Sequence, residues 1–408
     1  MNKRKIINDP VYGFITIPFD LVFDLIEHPI FQRLRRIKQL GLTHYVYPGA
    51  LHTRFHHALG AMHLMQQAIK VLRQKDVKIT KEEEQAAIIA ILLHDIGHGP
   101  FSHTLEHTII NIHHEDLSVF LMETLNKHFD GQLDLAIKVF KKEYHKKFLY
   151  QLVSSQLDMD RMDYLNRDSF FTGVAEGVIG YDRIIKMLSV VNNELVVEEK
   201  GIYSIEKFLI ARRIMYWQVY LHKTVISAEQ MLIRALSRAK FLSQNGEKVF
   251  ASDSLSYFVQ QSILPKDLIQ YKKEILYHYT QLDDVDIVSS LKHWCSHKDK
   301  VLALISHGLI NRQLFRIEIQ EEPFKSDKIN RLRHNVRLKV GNDISDNDLE
   351  YLVFTGSESN RIYSKGKQEI KVKFKNGSVK PISNVSDFEI SPKSVTKFYI
   401  CYPKFLDV

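Results

Sequence analysis

The stretch Ile91-Leu92-Leu93-His94-Asp95-Ile96-Gly97-His98-Gly99-Pro100-Phe101-Ser102-His103 decides how this chain is read. It starts as the end of an apolar helix and finishes as a glycine-rich loop carrying histidines. An apolar helix has no structural need for a terminal His-Asp pair, because buried charge must be paired, hydrogen-bonded or bound to metal. At a helix end the chain can turn both side chains onto one ion. The residues alone therefore point to a divalent metal held by His94 and Asp95, with further ligands elsewhere.

Upstream of it, Thr80-x-x-Glu83 is a capping box that opens the helix ending at His94. Upstream, Arg54 to Lys70 reads as a helix with Phe55, Leu59, Met62 and Met65 near one stripe, and it carries His56-His57. Downstream, Ser102 is a good N-cap for a short helix over 103–111, followed by helices over 115–129, 133–142, 146–156 and 158–170. The last carries the acids Asp158, Asp160 and Asp163. Before the core, residues 5–18 read as a hairpin, and a strongly basic helix is expected from Phe31 to Gln39. After it come a hairpin within 188–204, a long helix over 204–244 and helices to about 307. Beyond about 310 the pattern alternates, with strands at 314–320, 352–354, 370–375 and 398–402 around a basic helix at 327–338. The fold class expected is mainly α: an all-helical domain over 1–310 with small β-hairpins, then a smaller α+β domain over 311–408.

Composition allows this and little else. The 408 residues are 45% hydrophobic and 25% charged, enough for a large core. The +8 formal charge suits polyanionic partners such as nucleotides. Cys295 and Cys401 form no metal-ligand spacing and no disulfide framework. The apolar run Ala86–Leu93 falls far short of the ~20 residues that span a membrane. A soluble, cytoplasmic protein is expected, with no signal peptide after the basic N-terminus.

With 20 histidines, a chance His-Asp pair is unremarkable; the loop of glycines and histidines behind a buried helix raises this one above chance. The quoted stretch, Gln32-Arg-Leu-Arg-Arg-Ile-Lys-Gln-Leu-Gly41, Tyr45-Val-Tyr-Pro-Gly-Ala50, Thr53-Arg-Phe-His-His57 and Asp158-Met-Asp-Arg-Met-Asp-Tyr164 together resemble the HD-domain phosphohydrolases. They are most similar to the branch that hydrolyses deoxynucleoside triphosphates to deoxynucleoside and triphosphate. The resemblance runs from about Lys5 to Lys223, without a SAM domain. It implies metal ligands at His57, His94, Asp95 and Asp160, with Asp158 and Asp163 behind them. Such donors suit Mn, Fe, Ni, Zn or, with more water, Mg.

His103 is the best candidate general acid: Glu106 lies one turn along, where a carboxylate orients the imidazole and favours its protonated form. The resemblance gives this pair the same role and places His98 and His114 around the phosphates. It also implies Arg54, Arg161 and Arg212 on the phosphates, Tyr164 and Asp168 on the sugar, Gln39 and Leu40 at the sugar and base, and Tyr220 near the base. His56 stands where the family has Glu, and Arg161 where it often has Lys. A homo-oligomer (dimer or tetramer) and an activating nucleotide at Lys5, Asn8, Glu27 and Arg35 are further implications.

Three rivals compete. Another nucleotide substrate, such as GTP, a monophosphate or a cyclic nucleotide, would keep the metal site. His103-Thr-Leu-Glu-His107 fits the inverted zinc-peptidase pattern but leaves His94, Asp95 and Asp160 unexplained. Lys365, Lys367, Lys371, Lys373, Lys375 and Lys380 would suit nucleic acid, although lysines along a solvated sheet edge are the commoner explanation.

Overall fold

Ala86 to Leu93 is apolar at every position, so its helix has no solvent face and must be enclosed. The structure, a computed structural model, describes residues 5–264, 266–341, 343–360, 369–387 and 395–406. In it every residue from Ala86 to Leu93 is buried. Burying each Ile or Leu there is worth about 1.5–3 kcal/mol, so this helix anchors its neighbours.

An antiparallel hairpin opens the fold, β1 (Ile6–Asp9) against β2 (Gly13–Thr16), with Asn8 opposite Phe14. Then come α1 (Asp20–Glu27), α2 (Pro29–Gln32), α3 (Arg54–Gln74), α4 (Lys81–Leu93), α5 (Ser102–Ile109), α6 (His114–His128), α7 (Asp134–Phe140), α8 (Lys147–Val153), α9 (Met159–Thr172) and α10 (Tyr181–Met187). The central α4 packs on α3, α7 and α8, and α3 packs on α9. Thr80 and Glu83 form the capping box read from the sequence, a device worth about 1 kcal/mol. Gly60 lets α3 and α9 approach closely, since a Cβ there would lie 1.9 Å from Asp163 Oδ1.

The hairpin β3 (Leu188–Val191) and β4 (Glu194–Glu198) leads into α11 (Ile202–Met215) and α12 (Lys223–Gln244). Shorter helices follow: α13 (Asp253–Gln260), α14 (Asp267–Gln281), α15 (Asp284–Trp294) and α16 (Lys300–Ile310). The remainder holds β5 (Arg316–Gln320), α17 (Ser326–Val340), α18 (Asp346–Leu352), β6 (Phe354–Asn360), β7 (Lys371–Lys373), β8 (Val379–Pro381) and β9 (Val395–Tyr402). β5 and β6 flank β9 in one antiparallel sheet. β7 pairs in parallel with β4, placing Val372 opposite Val197, so strands from before and after position 310 share a sheet. The fold is mainly α with small β elements, as the sequence leads one to expect.

Three local expectations change. The basic helix expected from Phe31 to Gln39 is only α2 followed by a tight 3₁₀ turn, Arg33–Arg36. Arg33 is the reason: its buried guanidinium donates to the carbonyls of Ile96, His98 and Leu282, which a solvent-facing helix would not permit. The long helix over 204–244 is interrupted by a π-helical turn, Tyr216–Tyr220, a deviation that recurs at functional sites. Ser102 does not cap α5. Phe101 occupies that position at φ +50°, and Ser102 Oγ accepts from Arg54 Nε at 2.7 Å. Of the late lysines, Lys365 and Lys367 lie outside the described residues. Lys371 pairs with Glu194, and Lys380 lies over Phe374.

Candidate active site

Three helices bring the four expected ligands together. His57 comes from the first turn of α3, His94 ends α4 with Asp95 directly after it, and Asp160 is in the first turn of α9. His57 Nε2 lies 3.3 Å from His94 Nε2 and 3.2 Å from Asp160 Oδ1. His94 Nε2 is 3.5 Å from Asp160 Oδ1 and 3.3 Å from Asp95 Oδ1.

Outer contacts fix each ring. His57 Nδ1 donates to Asp163 Oδ2 at 2.7 Å, and His94 Nδ1 donates to the Ile91 carbonyl at 2.6 Å. Each proton is thus held on Nδ1 and each Nε2 is aimed inward, the arrangement that orients metal-ligating histidines. Burial disfavours charge on His57, yet hydrogen bonds to Asp160 and Asp163 raise its pKa to about 10. Burial likewise works against the Asp160 carboxylate, but His57 and His94 hold it well below the usual range. The pocket favours positive charge between these atoms, and a donor set of two imidazoles and two carboxylates fits a divalent cation.

Beside this cluster stands a second. His98 and His114 stack with centroids 3.9 Å apart, and His103 sits edge-on to both. Glu106 ties them together. Oε1 accepts from His114 Nδ1 at 2.8 Å and from the His114 backbone N–H at 2.8 Å, while Oε2 lies 3.4 Å from His103 Nδ1. Burial raises the Glu106 pKa, but hydrogen bonds from His103 and His114 outweigh it and hold the carboxylate ionised. Burial, reinforced by nearby Arg54, pushes His98 well below its usual value and keeps it neutral. The loop carrying these groups is tightly built: a Cβ on Gly97 would lie 2.2 Å from the His114 carbonyl oxygen.

Asp95 and Asp160 of the first cluster and His98, His103 and His114 of the second line a cavity of about 570 Å³, together with Gln39, Leu40, Arg54, Arg161, Tyr164, Asp168 and Tyr220. Arg54 pairs with Asp95 and Arg161 with Asp158, so both arginines are held while facing the cavity. Asp168 accepts from His52 Nε2 at 2.8 Å and from Tyr220 Oη at 2.7 Å. Arg212 is the expected contact that does not line this cavity; its guanidinium donates to Gln156. The inverted-peptidase pair separates: His103 faces His98 and His114, whereas His107 faces His113.

Glu229 of α12 and Glu358 of β6 also line the cavity and were not singled out in the sequence. Burial raises Glu229 to about 7 and raises Glu358 as well. No short motif surrounds either residue. Lys5, Asn8, Glu27 and Arg35 line a separate cavity of about 230 Å³ under the N-terminal hairpin, together with His56. His56 Nδ1 accepts the Thr53 N–H there, so it keeps the capping contact that a Glu at this position makes.

The sequence model of the HD domain matches residues 54–168, the span that contributes all four expected ligands, and that of the HD associated region matches 179–257. The chain belongs to the HD-domain phosphohydrolases. It is 51% identical to a phosphohydrolase of Bacteroides thetaiotaomicron whose crystal structure superposes with a TM-score of 0.94, covering 98% of this chain and 99% of that one. It is 33% identical to the uncharacterized protein YwfO of Bacillus subtilis over 100% of this chain and 94% of the relative. It is also similar to the deoxynucleoside triphosphate triphosphohydrolase SAMHD1 homolog of Dictyostelium discoideum, at 29% identity over 85% of this chain and 66% of that protein. As an HD phosphohydrolase it is a hydrolase, and no helix among the described residues is long and apolar enough to cross a membrane.

Proposed function

We propose that this HD phosphohydrolase cleaves deoxynucleoside triphosphates into deoxynucleoside and inorganic triphosphate. The observation that carries the reading is one cavity lined by Asp95 and Asp160 of the His57–His94–Asp95–Asp160 donor set, by His98, His103 and His114, and by Tyr164 and Asp168. Similarity to the Dictyostelium triphosphohydrolase supports it.

His57, His94, Asp95 and Asp160 would hold the divalent ion. When bound, such an ion supplies a polarised water and positive charge for phosphate oxygens. Arg54 and Arg161 offer guanidinium forks to the triphosphate. The water oxygen bonds to the α-phosphorus and gives up one proton to solvent, the bond from that phosphorus to the 5′ oxygen breaks, and its electron pair stays on the 5′ oxygen. His103 delivers a proton there, with Glu106 holding the opposite ring nitrogen. Tyr164 fills the space a ribose 2′-hydroxyl would need, and Asp168 accepts from the 3′-hydroxyl. Gln39, Leu40 and Tyr220 border the sugar and base.

The same reading takes the chain as a cytoplasmic homo-oligomer, dimer or tetramer, with an activating nucleotide in the hairpin cavity formed by Lys5, Asn8, Glu27 and Arg35. Incubation with Mn²⁺ or Mg²⁺ and a panel of dNTPs and NTPs tests it. Inorganic triphosphate and deoxynucleoside are the expected products; pyrophosphate or orthophosphate would contradict the proposal. A preference for GTP or other ribonucleotides would move the substrate to the alternative class while leaving the metal chemistry in place.

A further inference from the structure

The N-terminal hairpin reaches the metal centre through an unbroken line of buried ion pairs. Asp163, behind His57, accepts Arg167 Nε on Oδ2 at 2.9 Å and an Arg167 terminal nitrogen on Oδ1 at 3.0 Å. The other terminal nitrogen of Arg167 donates to Asp9 Oδ2 at 2.7 Å. Asp9 closes β1, and its Oδ1 accepts the backbone N–H groups of Val11 and Tyr12 at 3.0 and 2.9 Å, so the hairpin turn fixes its orientation. The Tyr12 ring lies 5.4 Å from the Arg167 guanidinium, a second hairpin contact on the same group. The side chains of His57, Asp163 and Arg167 are fully buried and that of Asp9 is 3% exposed, so water does not screen the line.

The charges explain what the line does. Arg167 is one cation shared by two carboxylates. Asp9 draws part of that charge away from Asp163, which leaves Asp163 a stronger acceptor for the His57 Nδ1 proton and His57 Nε2 a better donor to a metal. Without the Asp9 charge, Arg167 belongs wholly to Asp163, and the hold on His57 weakens. We propose that Asp9 is a positioning residue for the metal ligand His57, acting through Arg167 and Asp163, so that the hairpin sets metal affinity from outside the catalytic cavity. The inference rests on the reading of His57 as a ligand.

Calorimetric titration of the full chain with Mn²⁺ tests it, at a temperature where circular dichroism shows each variant folded. Asp9→Asn keeps an oxygen for the turn but removes the charge facing Arg167. It should weaken Mn²⁺ binding about 10-fold, the lower end of losses seen when groups behind metal ligands are changed. Ile15→Ala, a change in the hairpin core, should lower the melting temperature and keep the wild-type Kd. His57→Ala should abolish high-affinity binding. A wild-type Kd in Asp9→Asn, with binding lost in His57→Ala, overturns the relay alone. Wild-type binding in His57→Ala overturns the ligand reading and the relay with it. If Asp9→Asn folds too poorly to titrate, Asp9→Ser takes its place, because it keeps a short side-chain oxygen for the turn and removes the same charge. Weaker binding is expected there too, and an unchanged Kd overturns the proposal.

Discussion

The two histidine clusters lie side by side at one cavity, which the first reaches through Asp95 and Asp160, but they are built in opposite ways. The rings of His57 and His94 come from long helices, are buried, and are pinned from behind by Asp163 and the Ile91 carbonyl. His103 comes from the short helix α5, its side chain is 70% exposed, and it follows two residues with left-handed backbone at φ +50° and +43°. A metal ligand set must hold its geometry without substrate, so it is rigid and overdetermined. A proton donor must meet a substrate oxygen and recover, so it sits on a strained, accessible turn held by one carboxylate. On the proposed reading, the first cluster binds the ion and the second handles the proton.

That contrast is broken most severely at the ligands. His94→Ala or Asp160→Ala should reduce both bound metal and hydrolysis to background; metal analysis showing a full complement in either variant would erase the distinction. Next in size, His103→Ala should lower kcat by about 10²–10⁴-fold, the range for a lost general acid, while the metal content stays at the wild-type level. Loss of metal in that variant would merge the two clusters into one site. Glu106→Gln should follow His103→Ala in direction, since Glu106 orients both His103 and His114.

Smaller effects sharpen the comparison. Gly60→Ala forces a Cβ into Asp163, and overpacking of this kind costs about 1–3 kcal/mol; urea denaturation measures it, and Mn²⁺ binding should weaken in parallel. Glu229 gives the mildest change. Its folded pKa of about 7 is raised by burial above that of an ordinary carboxylate. Between roughly pH 4.5 and 7 the unfolded chain ionises while the folded chain stays protonated, so stability falls as pH rises. Glu229→Gln should remove that fall and raise the melting temperature at pH 8 with little change at pH 4. Equal melting temperatures for the two proteins at pH 8 would show that burial does not perturb this group.

Much of the fold was legible because its governing pattern is local. A capping box, an apolar run and a His-Asp pair at its end identify α4 and the turn that follows without tertiary information. The hairpins at 5–18 and 188–204 announce themselves through short alternating runs with Asn and Gly. What escaped is what only long-range contact creates. Arg33 reads as one more surface cation, yet it is fully buried under the carbonyls of Ile96 and His98 and braces the histidine loop. His52 gives no signal of its hydrogen bond to Asp168, 116 positions away. Glu358 reaches the cavity from a strand far beyond the HD domain. Ser102 has the right chemistry for a cap, but the demand of buried Arg54 for an acceptor takes precedence.

The proposed reaction turns on attack of water at the α-phosphorus. Hydrolysis of dGTP in ¹⁸O-labelled water, followed by mass spectrometry of both products, tests it most directly. The label should appear in the inorganic triphosphate and be absent from the deoxyguanosine. Label in orthophosphate or pyrophosphate, or in the nucleoside 5′-hydroxyl, would contradict it.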